Sequence, residues 1–572
     1  MNFYARFLEL LAEAGVRHVF GIPGDALNPL TDAMRKQDAV RWIRTMHEEG
    51  AAFAASGAAK LTGRLQVCAG TVGPGALHLL NGLADAQKDR APVIAIMGQV
   101  PQRDRGSDYH QEIDLRRAAS AIAEHVVEVE AAEAAPHVFV EAIHHAISRN
   151  AVSVLIVPAE VGKSSVVDVP VRLLRPDELG VLHAPAAVID EAVRLLDDAK
   201  AITIFAGEGS RSCADEVLRL AEHLRAPLIR SLKAHDLYPD DHALVCGELG
   251  VVGSRRAVEA MHHADVLLMI GTDFPYREWY REDAHVIQID TRAQVIGRRS
   301  PRTLPVHAHA ASAVEALVGR IKARHDGSGG SGERGGVLAR VWSHFEDKVE
   351  HEPRADGALR PQAVVHALAE AAPNDAVFCC DTGTSTVWAA RHLHMKRGQR
   401  LTFCANLGSM AYALPAAIGS AVVAPGRKAI ALCGDGAFHM LMGEFLTAVD
   451  LELDLKVVVL DNSSLGLIGL EQESEGYPRA MIGQHNPDYV AFAAACGGTG
   501  FRVEELDALR ETMTRFLSCN GPAILAARVA SDELIVPPSI SLSQAWSFGL
   551  ARARELFGAP GTREGTHADP RT

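Results

Sequence analysis

The sequence predicts an α/β protein made of three doubly wound, parallel-sheet domains. Short apolar runs alternate with longer stretches of helical periodicity along the 572 residues, as expected where crossover helices connect parallel strands. Aromatic residues make up only 5% of the chain, whereas Ala, Val, Leu and Gly are abundant, which favours α/β layers over an aromatic-rich β-sandwich. A chain of this length exceeds one hydrophobic core and therefore needs several domains.

The strand-like runs fall into three blocks, which place domains at residues 1–170, 185–322 and 351–540. The runs are HVFGIPG, LQVCAGTVGPG, PVIAIMG and SVLIVPA in the first block, AITIFAGEGSR, PLIRSL, VLLMIGTDFP and VIQIDT in the second, and AVFCCDTG, KAIALCGDG, LKVVVLDNSSLG and PAILAARV in the third. Residues 323–350 are predicted to be a linker because they contain DGSGGSGERGG, which offers no core to bury. The Gly-, Pro- and polar-rich tail 558–572 is predicted to be disordered.

Charge and cysteine content exclude several classes of function. The net charge of −14 opposes sequence-independent binding to nucleic acid and adsorption to anionic membranes. No apolar run reaches the roughly 18 residues of a membrane span, and the first residues lack the pattern of a signal peptide. The nine cysteines include no CxxC pair, which indicates reduced thiols. We therefore expect a cytoplasmic protein with no nucleic-acid partner and no stable membrane association.

Polar residues at two strand ends in the third block indicate a metal and phosphate site. Gly434, Asp435 and Gly436 follow an apolar strand and precede a helical stretch. The glycines allow a tight turn into a helix whose first N–H groups can receive phosphate, and Asp435 offers a hard oxygen to Mg²⁺. Asn462 ends the next strand, about one strand–helix–strand unit later. Because parallel strands present their carboxyl ends at one edge of a sheet, the pattern predicts a Mg²⁺–diphosphate site.

Five segments distributed over nearly the whole chain carry a resemblance to a known family. They are HEEGAAFAASGAAKLTG (47–63), GTVGPGALHLLNGLADA (70–86), GTDFPYREWY (271–280), DTGTSTVWAARHL (381–393) and GDGAFHMLMGEF (434–445). Together they resemble the thiamine diphosphate-dependent pyruvate oxidase and pyruvate dehydrogenase (quinone) group of the acetolactate synthase-like superfamily. The resemblance implies a pyrimidine-binding domain, a central FAD-binding-like domain and a diphosphate-binding domain, with thiamine diphosphate, Mg²⁺ and FAD as cofactors.

The resemblance also implies roles for residues around thiamine diphosphate. Glu48 would be the glutamate that hydrogen-bonds the aminopyrimidine and so promotes removal of the thiazolium proton; its neighbour Glu49 is the other candidate. His78 resembles a family histidine near the cofactor, although alone it would be taken for a structural histidine. Contacts to the cofactor and metal are implied for Gly408 and Ser409 at the pyrimidine, Met410 as the wedge that bends the cofactor, Gly434, Asp435, Gly436 and Ala437 at the diphosphate, and Asp435, Asn462 and the Ser464 carbonyl as metal ligands.

The middle block resembles the flavin-binding part of pyruvate oxidases. The implied flavin contacts are Leu249, Gly250, Val251, Val252, Thr272, Asp273, Phe274, Pro275, Tyr276 and Asp290. Asp290 follows a strand, as do acidic residues that accept hydrogen bonds from ribose in nucleotide-binding folds. The alternative is a degenerate domain that holds no flavin.

Two departures from the family pattern leave the reaction type open. Leu467 stands where the quinone-linked enzymes have a phenylalanine that helps electrons to reach the flavin. His110 replaces the phenylalanine of a Phe-Gln-Glu segment and precedes Gln111; a titratable imidazole there suits a different substrate or an acid–base role, and the alternative is an outward-facing loop residue. The leading hypothesis is oxidative decarboxylation of pyruvate or a related 2-oxo acid, with electrons passing to quinone or another acceptor.

The alternatives are a non-oxidative carboligase or decarboxylase with structural FAD, and a catalytically silent binding protein. Because Glu48 and Asp435 lie in different domains, and the superfamily binds its cofactor between two subunits, the resemblance implies a homodimer or homotetramer.

Overall fold

The computed structural model describes residues 2–167, 169–175, 178–250, 252–321, 354, 357–531, 533 and 535. The predicted flavin contact Val251, the predicted linker 323–350 and the predicted disordered tail 558–572 lie outside these residues.

The N-terminal sheet contains six parallel strands. They are β1 (His18–Gly21), β2 (Arg41–Arg44), β3 (Gln66–Gly70), β4 (Val93–Gln99), β5 (His125–Glu128) and β6 (Val152–Pro158), arranged in the order β2-β1-β3-β4-β6-β5. The helices of this part are α1 (Phe3–Glu13), α2 (Asn28–Met34), α3 (Glu48–Thr62), α4 (Pro74–His78), α5 (Leu80–Asp89), α6 (Leu115–Ser120), α7 (Ala135–Arg149) and α8 (Ala159–Lys163). Separate apolar clusters cover the two faces of the sheet, which is why its inner strands are continuous apolar runs.

The central sheet also has six parallel strands, and its order is that of a dinucleotide-binding fold. The strands are β7 (Ile202–Ala206), β8 (Leu228–Arg230), β9 (Val245–Glu248), β10 (Val266–Ile270), β11 (His285–Asp290) and β12 (Thr303–His307), flanked by α9 (Ala186–Asp198), α10 (Ala214–Leu224), α11 (Arg255–His263) and α12 (Ala310–Val318). Their order β9-β8-β7-β10-β11-β12 changes direction between β7 and β10, which is where open α/β sheets bind nucleotides.

The C-terminal sheet repeats the six-stranded parallel plan. Its strands are β13 (Val377–Cys380), β14 (Arg400–Phe403), β15 (Ala429–Gly434), β16 (Leu455–Asp461), β17 (Thr499–Val503) and β18 (Ala523–Arg528), in the order β14-β13-β15-β16-β18-β17. Its helices are α13 (Pro361–Ala371), α14 (Thr384–His392), α15 (Ala413–Val423), α16 (Asp435–Leu441), α17 (Phe445–Asp450), α18 (Gly466–Ser474), α19 (Tyr489–Ala495) and α20 (Leu506–Ser518). The predicted fold class of three parallel-sheet units is confirmed.

Short 3-10 helices complete the described secondary structure. They span Asp25–Leu27, Gln102–Asp104, Ala132–Ala134, Glu208–Cys213, Leu232–Ala234, Arg277–Trp279, Ala293–Val295 and Met442–Glu444.

Helices α3 and α15 join the first and third sheets by close backbone contact. Both are rich in Ala, a strong helix former, and the middle of each is buried. A Cβ atom at Gly57 would lie 2.5 Å from the Ala416 Cβ atom, and one at Gly419 would lie 2.0 Å from the Ala54 carbonyl oxygen. Glycine is therefore required at both positions, and the crossing fixes α3 against the C-terminal sheet.

Candidate active site

Glu48 is the first residue of α3 and is held at a buried helix start. Only 7% of Glu48 is exposed. His47, in extended conformation, is the N-cap residue, and its Nδ1 atom accepts a hydrogen bond from the Glu49 backbone N–H at 3.1 Å, which satisfies one of the free donors of the first turn. The Glu444 carboxylate accepts hydrogen bonds from the backbone N–H groups of Met46 and His47 at 3.1 and 2.9 Å. A C-terminal residue therefore anchors the segment that leads into α3.

Two histidines lie beside the Glu48 carboxylate. His78 Nδ1 lies 3.1 Å from Glu48 Oε2, and the rings of His47 and His78 stack with centroids 4.4 Å apart. Because His47 Nδ1 accepts a backbone hydrogen bond, the neutral ring of His47 carries its proton on Nε2. Glu49 is less buried than Glu48 and accepts a hydrogen bond from Asn81 Nδ2 at 2.7 Å. This contrast favours Glu48 as the functional carboxylate.

At the carboxyl edge of the C-terminal sheet, Asp435 is enclosed by hydrogen-bond donors. It is 1% exposed, and its Oδ1 atom accepts from the Gly436 N–H at 2.8 Å. Its Oδ2 atom accepts from the N–H groups of Asn462 and Ser463 at 3.0 and 2.6 Å and from Asn486 Nδ2 at 2.8 Å. Burial raises the pKa of Asp435 above its usual value, against the hydrogen bonds from Asn486, Gly436 and Ser463, which lower it.

The neighbouring loop supplies the other groups predicted for the metal. Asn462 Oδ1 accepts a hydrogen bond from the Ser464 N–H at 3.0 Å, which leaves its second lone pair for a cation. Among the described residues, no hydrogen bond reaches two buried polar atoms nearby, Gln484 Nε2 and Asn486 Oδ1. A Cβ atom at Gly436 would lie 2.7 Å from Leu465 Cδ2. A buried carboxylate, carbonyl oxygens and an unpaired amide donor fit a Mg²⁺–diphosphate group.

The loop that was predicted to face the pyrimidine lies close to the start of α3. Asn81 Nδ2 donates both to Glu49 Oε1 and to Ser409 Oγ, the latter at 2.9 Å. Gly408 has φ +74° and is exposed, and Met410 is partly exposed. The loop is thus next to the Glu48 region within one chain.

Asp381 holds the end of this loop by a hydrogen bond to its backbone. Its Oδ1 atom accepts a hydrogen bond from the Tyr412 N–H at 2.8 Å, immediately before α15 begins. Burial raises the pKa of Asp381 to about 7, although backbone N–H groups of Tyr412 and Ala413 oppose this shift. Sequence reasoning assigned no role to Asp381, His47, Glu444 or Asn486. Of these, Asp381 directly follows β13 and so carries the same strand-end signal that identified Asp435 and Asn462.

The predicted flavin segments lie at the switch point of the central sheet. Gly271 has φ +61°, and a Cβ atom there would lie 2.5 Å from the Gly209 backbone. Thr272 is buried, whereas Tyr276 is half exposed. Burial raises the pKa of Asp273 despite Arg299, whose Nε atom lies 3.4 Å from Asp273 Oδ1.

Further polar groups surround these segments. Asp290 Oδ1 accepts a hydrogen bond from the Arg292 N–H at 2.9 Å, and the Val252 carbonyl accepts one from Arg391 Nε at 3.3 Å. Leu249 is buried, and Gly250 has φ +110°. Among the described residues, no hydrogen bond reaches Asp273 Oδ1 or the buried Gln288 Nε2 atom. The close approach of Gly271 to Gly209 and the unpaired Gln288 Nε2 atom fit a dinucleotide at this edge.

The residues predicted near the substrate are less enclosed. His110 is exposed, and Gln111 has φ +65° and packs against Gly73, where a Cβ atom would lie 2.9 Å from that of Gln111. Gly73 is the N-cap residue of α4, which ends at His78. Leu467 is partly exposed in the first turn of α18. The structure thus brings Gln111 next to the helix that carries His78, and it places His110 in an exposed loop.

The fold and these two polar edges define a three-domain α/β enzyme whose ligand sites lie at the carboxyl ends of parallel strands. Three family models match the chain in order: the N-terminal TPP binding domain of thiamine pyrophosphate enzymes at 1–118, their central domain at 189–317 and their C-terminal TPP binding domain at 381–527. The chain belongs to the thiamine pyrophosphate enzymes and binds thiamine diphosphate, the same compound under its other name.

Relatives of nearly equal length support this assignment. The chain is 36% identical over 551 residues to YdaP of Bacillus subtilis (strain 168), whose name marks it provisionally as thiamine pyrophosphate-containing; the match covers 96% of the chain and 95% of YdaP. It is 31% identical to an acetolactate synthase of Mycobacterium bovis (92% and 88% covered) and 28% identical to the acetolactate synthase isozyme 1 large subunit of Escherichia coli (strain K12) (94% and 95% covered). These relatives support the superfamily, while the pyruvate oxidase subgroup stays a prediction.

Within the part of the chain that the structure describes, no helix is both long and apolar enough to cross a bilayer.

Proposed function

We propose that this enzyme decarboxylates pyruvate or a related small 2-oxo acid with thiamine diphosphate, Mg²⁺ and FAD, and passes the electrons to a quinone or another acceptor. The observation that carries the decarboxylation is the buried carboxylate of Glu48 at the start of α3, paired with His78 and anchored through Glu444 to the C-terminal domain. Thiamine diphosphate, when bound, supplies the carbon nucleophile that adds to the ketone and takes up the electron pair left by carbon dioxide.

The two cofactor edges have separate tasks in this proposal. Asp435, Asn462 and the backbone carbonyl of Ser464 hold Mg²⁺ and thereby the diphosphate. Gly408, Ser409 and Met410 line the pyrimidine, so that Glu48 reaches a ring nitrogen and shares its proton there. Glu48 suits this task because it is buried and His78 Nδ1 lies 3.1 Å from its carboxylate, which fixes the orientation of the side chain.

His78 and the loop at Gln111 complete the substrate side. His78 Nδ1 exchanges a hydrogen bond with the Glu48 carboxylate and keeps that side chain in one orientation. Gln111, packed against Gly73, is placed to hold the carboxylate or carbonyl of a small substrate. His110, the neighbour of Gln111, is exposed, and we therefore assign His110 a role at the entrance of the site.

The oxidative outcome depends on a flavin in the central domain. The strand order of the central sheet, the close approach of Gly271 to Gly209 and the unpaired Gln288 Nε2 atom support FAD binding there. FAD, when bound, accepts the two electrons released by oxidative decarboxylation. The likeness of residues 271–280 and 381–393 to pyruvate oxidases favours this reaction.

The second candidate is carboligation, in which a second 2-oxo acid takes the place of the electron acceptor and FAD is structural. The identity to acetolactate synthases favours it, as does Leu467 in place of the phenylalanine of quinone-linked enzymes. For either reaction we propose a homodimer or homotetramer with active sites between subunits, since enzymes of this family are generally assembled in that way.

One anaerobic experiment separates the two reactions. Purified enzyme is mixed with pyruvate in a stopped-flow instrument, the flavin absorbance near 450 nm is followed, and the carbon products are identified. The flavin is expected to bleach once, at least as fast as the turnover measured separately with an added electron acceptor, and acetate is the expected product. A flavin that stays oxidised while acetolactate accumulates would establish the carboligase, and a colourless active enzyme would refute FAD binding. Glu48→Gln, which lacks the shared proton, is the matched inactive control.

A further inference from the structure

We propose that Asn486 is a positioning residue of the metal site, which holds the Asp435 carboxylate in place through a neutral bridge to Asp461. Asn486 Nδ2 donates to Asp435 Oδ2 at 2.8 Å and to Asp461 Oδ1 at 2.6 Å. Both protons of the amide are thereby used. Asn486 lies 51 residues after Asp435, in the segment before α19, so the contact is made by the fold and not by a local turn.

The bridge joins the ends of two neighbouring strands. β15 ends at Gly434, which pairs with Leu460 of β16, so Asp435 and Asp461 emerge side by side. Two carboxylates at the ends of neighbouring strands repel each other unless a donor lies between them. Asn486 supplies that donor.

A neutral donor suits this position better than a cation. A lysine ammonium between the two carboxylates would compete with a divalent ion for Asp435, whereas an amide adds no charge. The charge of Asp461 is balanced on the solvent side by Arg528. Arg528 Nη1 lies 3.3 Å from Asp461 Oδ1, and the Arg528 side chain is more than half exposed. The series Arg528, Asp461, Asn486 and Asp435 therefore runs from solvent to the predicted metal ligand and keeps positive charge away from it.

The orientation of the Asn486 amide follows from the same contacts. Its oxygen cannot face the two carboxylates without repulsion, so Nδ2 points to them and Oδ1 points away. Among the described residues, no donor reaches the buried Oδ1 atom. Groups that orient a metal ligand in this way typically contribute 10- to 100-fold to metal affinity.

The inference rests on the proposed role of Asp435 as a metal ligand, and its test measures metal binding without turnover. Cofactor-free enzyme is titrated with Mn²⁺ in the presence of thiamine diphosphate, and free Mn²⁺ is measured by electron paramagnetic resonance. Asn486→Ala and Asn486→Ser, whose hydroxyl is too short to reach either carboxylate, are both expected to weaken Mn²⁺ binding about 10- to 100-fold. Thermal unfolding of each metal-free variant reports any loss of the fold.

Two further variants distinguish the possible failures. Asn374→Ala, at an exposed turn outside the site, is the matched control and should bind Mn²⁺ as the wild type does. If Asp435→Asn abolishes binding while Asn486→Ala and Asn486→Ser bind normally, the role of Asn486 is refuted and the metal site stands. If Asp435→Asn binds Mn²⁺ normally, the assignment of the metal site is itself wrong. Should Asn486→Ala fail to fold, the Asn486→Ser titration decides alone.

Discussion

Replacing Lys60 with methionine should destabilise the folded enzyme by about 3–5 kcal/mol, the usual cost of removing one partner from a buried ion pair. Lys60 Nζ lies 2.8 Å from carboxylate oxygens of both Asp85 and Asp89, whose side chains are fully buried. It also donates to the Phe403 carbonyl at 2.8 Å and lies 4.3 Å from the centre of the Tyr412 ring. Burial disfavours the ammonium form, but the two carboxylates outweigh this effect and hold the pKa of Lys60 well above its usual range.

The loss of folding stability in Lys60→Met should arise mainly from Asp85, which is left without a cationic partner among the described residues. Asp89 keeps Lys233, 3.4 Å away, and the Asn406 amide. Asp85 keeps the Ser56 hydroxyl at 2.6 Å, and burial already raises its pKa. Without Lys60 that pKa rises further. Because the folded state then binds more protons than the unfolded state, stability falls as pH rises through the window between the two pKa values. The deficit of the variant should therefore be larger at about pH 7 than near about pH 4, the lower end of that window.

Urea denaturation followed by tryptophan fluorescence measures the effect, compared through midpoints at constant slope. Lys163→Met, at an exposed position, is the matched control and should change stability by about 0.5 kcal/mol or less. The double variant Lys60→Met/Asp85→Asn should recover part of the loss, since it no longer buries an unpaired charge at Asp85. A loss below about 1 kcal/mol in Lys60→Met, or a double variant weaker than the single one, would refute the reasoning, because the estimate requires an uncompensated buried charge.

Three further predictions concern catalysis and pH. Glu48→Gln should lower turnover about 100-fold or more without changing the thermal midpoint, and Glu49→Gln should lower it far less; the reverse order in steady-state assays would identify Glu49 as the functional carboxylate. Burial raises the pKa of Asp381 to about 7, so the folded state binds this proton more readily than the unfolded state, and the contribution to stability is lost as pH rises from about 4 to 7. Asp381→Asn, whose side chain can still accept a hydrogen bond from the Tyr412 N–H, should flatten the pH dependence of urea midpoints in that window. An unchanged curve would contradict this reasoning. Leu467→Phe should speed flavin reduction by pyruvate in stopped-flow measurements if the enzyme is an oxidase, and an unchanged rate would show that Leu467 does not limit electron transfer.

The inner strands of the three sheets could be predicted from the sequence, and the edge strands could not. All twelve inner strands coincide with an apolar run such as Ala429–Gly434, because a parallel strand covered on both faces needs apolar side chains throughout. The six missed strands are the outermost ones. Arg41–Arg44 and Thr499–Val503 are examples in which charged or small residues face solvent. Their pairing is decided by the neighbouring strand, which no local pattern records.

In the candidate site too, some residues could be predicted from the sequence and others could not. Asp435 and Asn462 could be predicted because each follows an apolar strand, and the rule that strand ends meet at one edge then brings them together. Glu444 and Asn486 could not. Glu444 lies in a helical stretch where a glutamate suggests a solvated face, and Asn486 precedes a proline, which is an ordinary turn signal. Their contacts span separations of 397 and 51 residues, so only the assembled fold reveals them.

Helix α3 makes stability and catalysis depend on the same contacts. Its first residue is the proposed proton-sharing Glu48, and its last turn carries Lys60, which contacts Tyr412 at the end of the loop that is proposed to line the pyrimidine. Asp381 holds the backbone of Tyr412 from the C-terminal sheet, so that loop is fixed from both domains. A proton transfer at Glu48 requires placement within a few tenths of an ångström. The buried charges of α3 therefore do more than stabilise the interface between the domains, because they hold Glu48 and this loop in fixed positions within one chain, from which each would face the cofactor in the proposed assembly of two subunits.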